Sequence, residues 1–500
     1  MYAIDINTFF GVTPTWNPGY GLEKVLERMA SHGIAASLIV SLRGVHDDHV
    51  SGNAETLAVC QANPRLIPVA TINPLRGYGL TEDMAQIKAG RFRAIRLFPG
   101  VAFQDWSAAL LSAERVLRAV APLGLPIVAP ANNAAHIAPL SRLTHELGLP
   151  LVLVDTYYYT QAEVEEAMRR YPHVCLDTAH LGTPDAITLL AEEFGPERIL
   201  YGSGSPGMGP QASLNMVLRA RLTDAQKAQI LAGNAIRIFK LDPAMLPAAP
   251  EPVAFRAYEG PKIDVHAHLH ASYYRFPISP AGTSFVLDSC RRYNIETVIA
   301  SSAHGIFYDM ASGNAEMKEL IHEHPELRAY VVVNANDLAG SREQLEYYYK
   351  FDNFVGAKIH CEYSSQPTAS SAIRALFAEV ARHGRPVLIH NHGAGWEQAL
   401  HDLAIAHPKL PIILAHGGGF NTPKIMRDVP NVYFEFSGSG ISCDGIRNAL
   451  DVLGPERLLF GTDQDLFDAA FALGGYWDAG LTPEQAELIM YRNAKRLFEL

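Results

Sequence analysis

The stretch KIDVHAHLH, Lys262–His270, carries a predicted buried strand into His266 and His268, which stand two residues apart. Successive side chains of a strand point to opposite faces, so residues i and i+2 share a face. The two imidazoles therefore converge on one point, where their nitrogen lone pairs can hold a divalent metal. A single His-x-His pair also arises by chance on a surface, so the rest of the chain must decide between the two interpretations.

Three later segments have the same form, an apolar strand that ends in a potential metal ligand. They are RPVLIHNH with His390, LPIILAHGGG with His416 and RLLFGTDQD with Asp463. The apolar spacing within residues 370–383 predicts a helix between two strands. Near-continuous apolar strands that alternate with helices predict a parallel α/β barrel, whose strands all end at one face. The ligand residues then meet in one pocket; taken singly, each histidine is equally a satisfied polar group at a strand end.

As a set, these motifs resemble the amidohydrolase superfamily. The resemblance rests on HAH after the first strand, histidines after the fifth and sixth, and Asp in a GTD turn after the eighth. The stretches GAKIH at 356–360, LAHGGG and LLFGTDQD are similar to the amidohydrolase-related branch. That branch includes hydrolases and aminocarboxymuconate-semialdehyde-type decarboxylases. The resemblance covers residues 262–500.

The resemblance implies a (β/α)8 TIM barrel of the metal-dependent hydrolase type, with four metal ligands: His266, His268, His390 and Asp463. His416 matches a position that either ligates metal or orients substrate and water. Lys358 matches a fourth-strand lysine, which in carboxylated form bridges two metals in some members. One metal is usual in this branch, so no bridge is expected here.

The first half of the chain repeats the same plan. GPERIL at 195–200 matches GPERLL at 454–459, and NAIRIF at 234–239 matches NAKRLF at 493–498, both at an offset of 259. AIDI at 3–6 matches KIDV at 262–265 at that offset, and GNAE at 52–55 matches 313–316 at an offset of 261. A stable offset over this length indicates a tandem duplication of a whole domain, and a unit of about 250 residues suits one barrel.

The first copy lacks the ligand residues of the second. Opposite His266, His268, His390, His416 and Asp463 stand, in order, Asn7, Phe9, Pro130, Asp155 and Gly204. Asn and Phe do not replace neutral imidazoles as metal ligands. We therefore expect residues 1–241 to form a degenerate barrel without a metal site and residues 260–500 to form the metal-binding barrel.

Other polar residues of the first copy allow two interpretations. Asp155, Asp177 and His180 lie near the predicted ends of its sixth and seventh strands. They either form a different site or cap loops and helices. Arg96 aligns with Lys358 and should point into the mouth of its own barrel.

Residues 242–259, DPAMLPAAPEPVAFRAYE, separate the two copies. Proline-rich composition without apolar periodicity predicts an extended, semi-rigid linker. We expect the two barrels to pack as an internal pseudo-dimer that replaces a homodimer partner, with further oligomerisation possible.

Composition sets the class of protein. A formal charge of −11 over 500 residues and the lack of basic runs exclude a typical nucleic-acid surface. No apolar run approaches the roughly 20 residues that span a membrane. Five scattered cysteines without a C-x-x-C pair favour reduced thiols in the cytoplasm.

The predicted metal decides the chemistry. A divalent ion with an open position lowers the pKa of bound water to about 7 and polarises a carbonyl. Asp463 and His416 are the predicted catalytic residues, Asp463 as the base and His416 as a partner for the oxyanion or the water. Lys358 and His360 share a strand face and are candidates to bind a carboxylate or carbonyl of a small-molecule substrate. The alternative for Lys358 is a structural role in a buried ion pair.

Three functions remain open from the sequence. Hydrolysis of an amide, ester or lactone ranks first, and non-oxidative decarboxylation of an unsaturated or aromatic acid is the alternative. A non-enzymatic binding scaffold is a distant third, because the ligand set of the second copy is intact. One divalent ion is expected, with Zn favoured by the imidazole-rich set and Mn, Fe or Co as alternatives.

Overall fold

The structure is a computed structural model of the chain and describes residues 2–13, 16–100, 106–251, 257–270, 282–438 and 441–500. The backbone divides into two compact units, residues 1–255 and 256–500. Within the predicted linker 242–259, residues 252–256 lie outside the described residues, and a short 3-10 turn spans Pro243–Met245. Among the described residues, no helix has both the length and the apolar character needed to cross a bilayer.

The first unit contains ten strand segments: β1 Ala3–Thr13, β2 Trp16–Tyr20, β3 Ile34–Ser41, β4 Leu66–Pro68, β5 Ala70–Thr71, β6 Ile95–Arg96, β7 Ile127–Pro130, β8 Leu151–Val154, β9 Val174–Asp177 and β10 Ile199–Leu200. All neighbours are parallel except β2, which forms a hairpin on β1. β4 and β5 are two halves of one barrel strand, because the Val69 N–H still bonds towards β3 while the Ala70 N–H bonds towards β6. Backbone bonds from Ile6 to Tyr201 (3.1 Å) and from Phe9 to Ser205 (3.0 Å) close the ring.

Helices surround this ring at Leu22–Ser31, Arg43–His46, His49–Ala62, Leu80–Ala89, Leu111–Val120, Ala134–Glu146, Gln161–Arg170, Ala186–Phe194, Pro210–Arg219, Asp224–Ala228 and Asn234–Ile238. Short 3-10 turns lie at Ala121–Leu123 and Pro196–Arg198, and a π-helical turn lies at Gln229–Gly233.

The described residues of the second unit form eight strands: β11 Lys262–Leu269, β12 Ile295–Ser302, β13 Leu327–Val333, β14 Phe354–His360, β15 Val387–His390, β16 Ile412–Leu414, β17 Val432–Glu435 and β18 Leu458–Leu459. They pair in sequence order and all in parallel. The Val265 N–H donates to the Phe460 carbonyl (3.0 Å) and the Asp463 N–H to the His266 carbonyl (2.7 Å), which closes the barrel. The fold predicted from the sequence, two tandem (β/α)8 barrels, is confirmed.

Its helices are Thr283–Tyr293, Ala303–Phe307, Met310–His322, Leu338–Tyr348, Ser371–Ala381, Trp396–Ala406, Thr422–Ile425, Cys443–Leu453, Ala469–Asp478, Pro483–Glu487 and Asn493–Leu497. Short 3-10 turns lie at Ala415–Gly417 and Pro455–Arg457, and a π-helical turn lies at Leu488–Arg492. The helix predicted within 370–383 begins after Ser370, whose hydroxyl accepts a hydrogen bond from the Ile373 N–H (3.2 Å). That bond satisfies one of the free N–H groups at the helix start.

The two faces of β11 show how the strands position polar groups. Ile263 and Val265 are buried in the apolar core of the second unit. Asp264, His266 and His268 alternate with them and are also buried. Successive strand residues point to opposite faces. The apolar residues of β11 therefore share one face, which packs in the core, and its polar residues share the opposite face.

Candidate metal centre

The strand ends of the second unit bring the predicted ligands together. His266 and His268 lie near the end of β11, His390 is the last residue of β15, and His416 and Asp463 follow β16 and β18. His416 (φ 62°) and Asp463 (φ 62°) both adopt left-handed backbone conformations, uncommon for residues other than glycine. Such strained positions are frequent where a chain must aim a side chain into a site.

Three of these side chains form a compact group of potential ligands. The Asp463 Oδ1 atom lies 3.0 Å from His268 Nε2 and 3.6 Å from His266 Nε2. All three residues are buried, and their ligand atoms lie within 4.8 Å of one another. Two imidazole nitrogens and one carboxylate oxygen are donors that zinc and similar ions accept.

The protonation of these groups suits a metal. Burial lowers the pKa of His266 and of His268, which keeps both imidazoles neutral, the form that binds metal. Burial favours the neutral acid of Asp463, but the neighbouring His266 and His268 outweigh burial and lower its pKa. The group therefore presents neutral nitrogens and an ionised carboxylate.

Glu435, at the end of β17, fixes the orientation of two histidines. Its Oε1 atom lies 2.7 Å from His266 Nδ1 and accepts the backbone N–H of His416 at 2.8 Å. An acceptor at Nδ1 leaves the proton there and frees the lone pair of His266 Nε2. His266, His416 and Glu435 form a second group of potential ligands.

His416 and His390 also face a common point. His416 Nδ1 lies 3.2 Å from the Ser437 carbonyl, which can only accept, so Nδ1 carries the proton and Nε2 has a lone pair. That Nε2 lies 3.2 Å from His390 Nδ1. His390 Nε2 lies 3.4 Å from a Glu362 carboxylate oxygen, which favours a proton on Nε2 and a lone pair on Nδ1. Two facing lone pairs at this distance repel unless a cation or a proton lies between them, so these residues fit a metal.

Lys358 adds a buried cation to the cluster. Its Nζ atom lies 3.1 Å from His266 Nε2, and the side chain has no exposed surface. Burial lowers the pKa of Lys358 to about 8. Among the described residues, no carboxylate forms an ion pair with this amine.

His360 lies against the cluster rather than inside it. Its ring stacks on His390 with centroids 4.1 Å apart and planes 13° apart. The Tyr363 ring also contacts it, with centroids 4.2 Å apart. The predicted substrate contact of His360 stays a prediction.

The mouth of the first unit is filled by paired polar groups. Asn7 Nδ2 donates to Asp155 Oδ1 (2.9 Å) and to Asp177 Oδ2 (2.8 Å). Arg96 donates to Asn7 Oδ1 (2.8 Å) and lies 3.3 Å from Asp155 Oδ2. Its guanidinium thus contacts the counterparts of His266 and His416. His180 lies 3.8 Å from Asp155.

None of these polar side chains joins a group of three potential metal ligands within the part of the first unit that the structure describes. Asp155, Asp177 and His180 thus belong to a polar network in the barrel mouth, and the choice between a different site and caps of loops and helices stays open.

A family model described as amidohydrolase matches residues 49–241 and 263–500, most of both units. The chain belongs to the amidohydrolase family. No curated protein sequence matches the chain.

Solved structures similar to this chain cover about half of it. A 2,6-dihydroxybenzoate decarboxylase is 17% identical, with 48% of this chain and 100% of that chain covered and a TM-score of 0.40. The 5-carboxyvanillate decarboxylase LigW from Sphingomonas paucimobilis is 15% identical, with 48% and 99% covered and a TM-score of 0.40. A dihydroxybenzoic acid decarboxylase from Polaromonas sp. JS666, with bound manganese and 2-nitroresorcinol, is 16% identical, with 48% and 97% covered and a TM-score of 0.39.

Sequence reasoning missed Glu435 and Ser437 of the second unit. A signal for Glu435 was present, because Asp177 had been singled out at the end of the seventh strand of the first copy, and Glu435 ends the corresponding strand, β17. Ser437 lies two residues beyond that strand and contributes its backbone carbonyl as well as its hydroxyl. A backbone contact of this kind leaves no residue-type signal.

Proposed function

We propose that the second unit is a metal-dependent decarboxylase that removes CO2, without oxidation, from a small unsaturated or aromatic carboxylic acid. The observation that carries this proposal is Lys358. It is a fully buried amine beside the ligand group, and no carboxylate of the described residues pairs with it. The amine contacts His266 Nε2, and Asp463 and Glu435 favour its charged form without pairing with it directly. A buried cation without a direct counter-ion is costly, and a substrate carboxylate would supply that counter-ion.

The charge of the site supports an anionic substrate. With one divalent ion bound, the positive charge of the ion and Lys358 exceeds the negative charge of Asp463 and Glu435. Hydrogen bonds and ion pairs in a buried site are stronger than in water, so this excess is a strong preference for an anion. Decarboxylation requires a carboxylate on its substrate, whereas hydrolysis of an amide, ester or lactone does not.

The proposed roles of the residues follow from their positions. His266, His268, His390 and Asp463 would hold the ion, and His416, whose Nε2 atom faces His390 Nδ1, would lie beside it. The ion when bound withdraws electron density from a substrate oxygen and so stabilises the negative charge left when CO2 departs. Lys358 would orient the substrate by binding its carboxylate. Glu435 keeps His266 in its metal-binding tautomer.

Hydrolysis, which the sequence ranked first, is the second candidate. Asp463 favours it, because an ionised carboxylate 3.0 Å from His268 Nε2 is placed to take a proton from a water in the cluster. The non-enzymatic scaffold is the least supported, since membership in an enzyme family and a compact ligand group both argue for catalysis.

Product analysis tests the proposal. The full-length protein is loaded with Zn, Mn, Fe or Co, and elemental analysis measures its metal content. It is then given a panel of lactones and of unsaturated and aromatic acids, the acids with labelled carboxylates. We expect release of labelled CO2 and about one ion per chain. Incorporation of 18O from water into the product, without CO2 release, would establish the hydrolase instead. The His266→Ala variant is the inactive control.

The Lys358→Met variant tests whether this lysine binds the substrate carboxylate. It removes the buried amine but keeps its length, so we expect KM for carboxylate substrates to rise while metal content is unchanged. Equal KM values for wild type and variant would remove the observation on which the proposal rests.

A further inference from the structure

The histidine stack beside the ligand group has a role that neither the motifs nor the proposed chemistry assigns. β14 and β15 pair so that His360 and His390 stand directly opposite each other. Their rings lie nearly parallel, 13° apart, at a centroid distance of 4.1 Å. The Tyr363 ring contacts His360 with centroids 4.2 Å apart and in turn meets the Phe307 ring edge-on at 4.5 Å. An aromatic column therefore backs the His390 ring.

His390 needs such support more than the other predicted ligands do. Its side chain is 26% exposed, against 1% for His266 and 8% for His268. The ring of a partly exposed histidine at a strand end keeps rotational freedom, and that freedom is lost when the ring binds a ligand. A neighbour that already restricts the ring lowers the entropy cost of binding the ligand.

The contacts of His360 suit it to restrict the His390 ring rather than to bind the metal ion. The rings of His390 and Tyr363 both contact it, and its Nδ1 atom accepts a long hydrogen bond (3.4 Å) from the Tyr363 N–H. Offset and parallel stacking of this kind fixes the plane of the partner ring.

The first unit offers a natural comparison. Phe98 stands two residues after Arg96, as His360 stands two residues after Lys358. An aromatic ring is thus present at both positions, while the residue opposite His390 in the first unit is Pro130. An aromatic ring with an imidazole opposite it is therefore the feature particular to the second unit, as expected if the ring serves to position His390.

We infer that His360 is a positioning residue, which holds the His390 ring flat so that His390 Nδ1 faces the same point as His416 Nε2. The inference rests on the proposed metal centre and names a residue that prepares it. Stacking, and not the chemistry of the His360 nitrogens, is what positions His390.

The test uses full-length protein freed of metal and titrated with Co²⁺, followed by calorimetry and by the visible absorption of the bound ion. His360→Phe keeps the stack, and His360→Ala and His360→Leu remove it. We expect His360→Phe to bind Co²⁺ within about threefold of wild type. We expect the other two to bind about tenfold more weakly, the size of effect seen for supporting residues of metal sites. The visible spectrum should change with the loss of His390 from the ion.

Three outcomes would overturn the inference. Equal affinity and an unchanged spectrum in His360→Ala and His360→Leu would show that His390 needs no backing. A loss in His360→Phe as large as in His360→Ala would show that the nitrogens matter and the stack does not. If wild type binds no Co²⁺, the metal centre itself fails, whereas the first two outcomes leave it intact. Thermal unfolding of each variant confirms that the barrel has folded.

Discussion

Glu435 offers the sharpest test of how the second barrel prepares its ligands. The Glu435→Gln substitution keeps size, shape and an acceptor oxygen but removes the charge. Oε1 lies 2.7 Å from His266 Nδ1 and accepts the His416 N–H at 2.8 Å, so one atom organises two predicted metal-site residues. A neutral amide oxygen can still accept both bonds, at lower strength.

The magnitude follows from those two bonds. A hydrogen bond to a charged group contributes about 1.5–3 kcal/mol and a neutral one about 0.5–1.5 kcal/mol. The substitution thus weakens each bond by about 1 kcal/mol, or about 2 kcal/mol for the pair. If most of this lost free energy weakens metal binding, metal affinity falls by about 10- to 30-fold, since about 1.4 kcal/mol is a factor of ten. Losses of about 10- to 100-fold are typical when the hydrogen-bond partner of a ligating histidine is changed.

Calorimetric titration of metal-free protein with Co²⁺ or Mn²⁺ measures this loss. The matched control is Asp177→Asn in the first unit, where Asp177 accepts from Asn7 Nδ2 (2.8 Å) and the Asp155 N–H (3.1 Å) in the same way. We expect the control to leave metal affinity unchanged. Wild-type affinity in Glu435→Gln would refute the idea that this carboxylate sets the tautomer of His266.

Three further predictions concern the two barrels separately. His266→Ala and Asp463→Asn should each abolish turnover with little change in far-ultraviolet circular dichroism, and retained activity in either variant would exclude that residue from the reaction. Arg96→Met should lower the free energy of unfolding by about 3 kcal/mol, because it leaves the part-buried Asp155 carboxylate without its cation and the buried Asn7 Oδ1 atom without its donor; thermal unfolding measures the loss, and unchanged metal affinity is expected alongside. Burial, and then nearby positive groups, lower the pKa of His173 to about 4, so its neutral form is favoured in the folded state. Stability should therefore fall as pH falls from about 6.5 towards 4, and His173→Gln should flatten that part of a thermal-unfolding pH profile; an identical slope in the variant would exclude His173 as its source.

Local pattern was sufficient for the fold. The apolar strands, the helical spacing between them and the helix start after Ser370 are all properties of short stretches, because strand and helix periods are set by backbone geometry. Recurrence of the pattern at an offset near 259 then predicted two barrels, and parallel pairing confirmed them. Parallel topology also explains why residues at separate strand ends, such as His268 and Asp463, could be expected to meet.

The sequence could not predict the contacts that set the orientation and protonation of those residues. The bond between Glu435 and His266 joins positions 169 apart, and the contact between Lys358 and His266 joins positions 92 apart. Whether such side chains touch depends on strand register, rotamers and burial, and none of these is encoded in a local pattern.

The first barrel illustrates the same limit. Its sequence showed that the ligand residues are replaced. Only the tertiary structure showed that Arg96 reaches Asn7 and Asp155 and places a guanidinium among the counterparts of the ligands. A buried polar group must find a partner wherever the fold puts one within reach, and that choice is made in three dimensions.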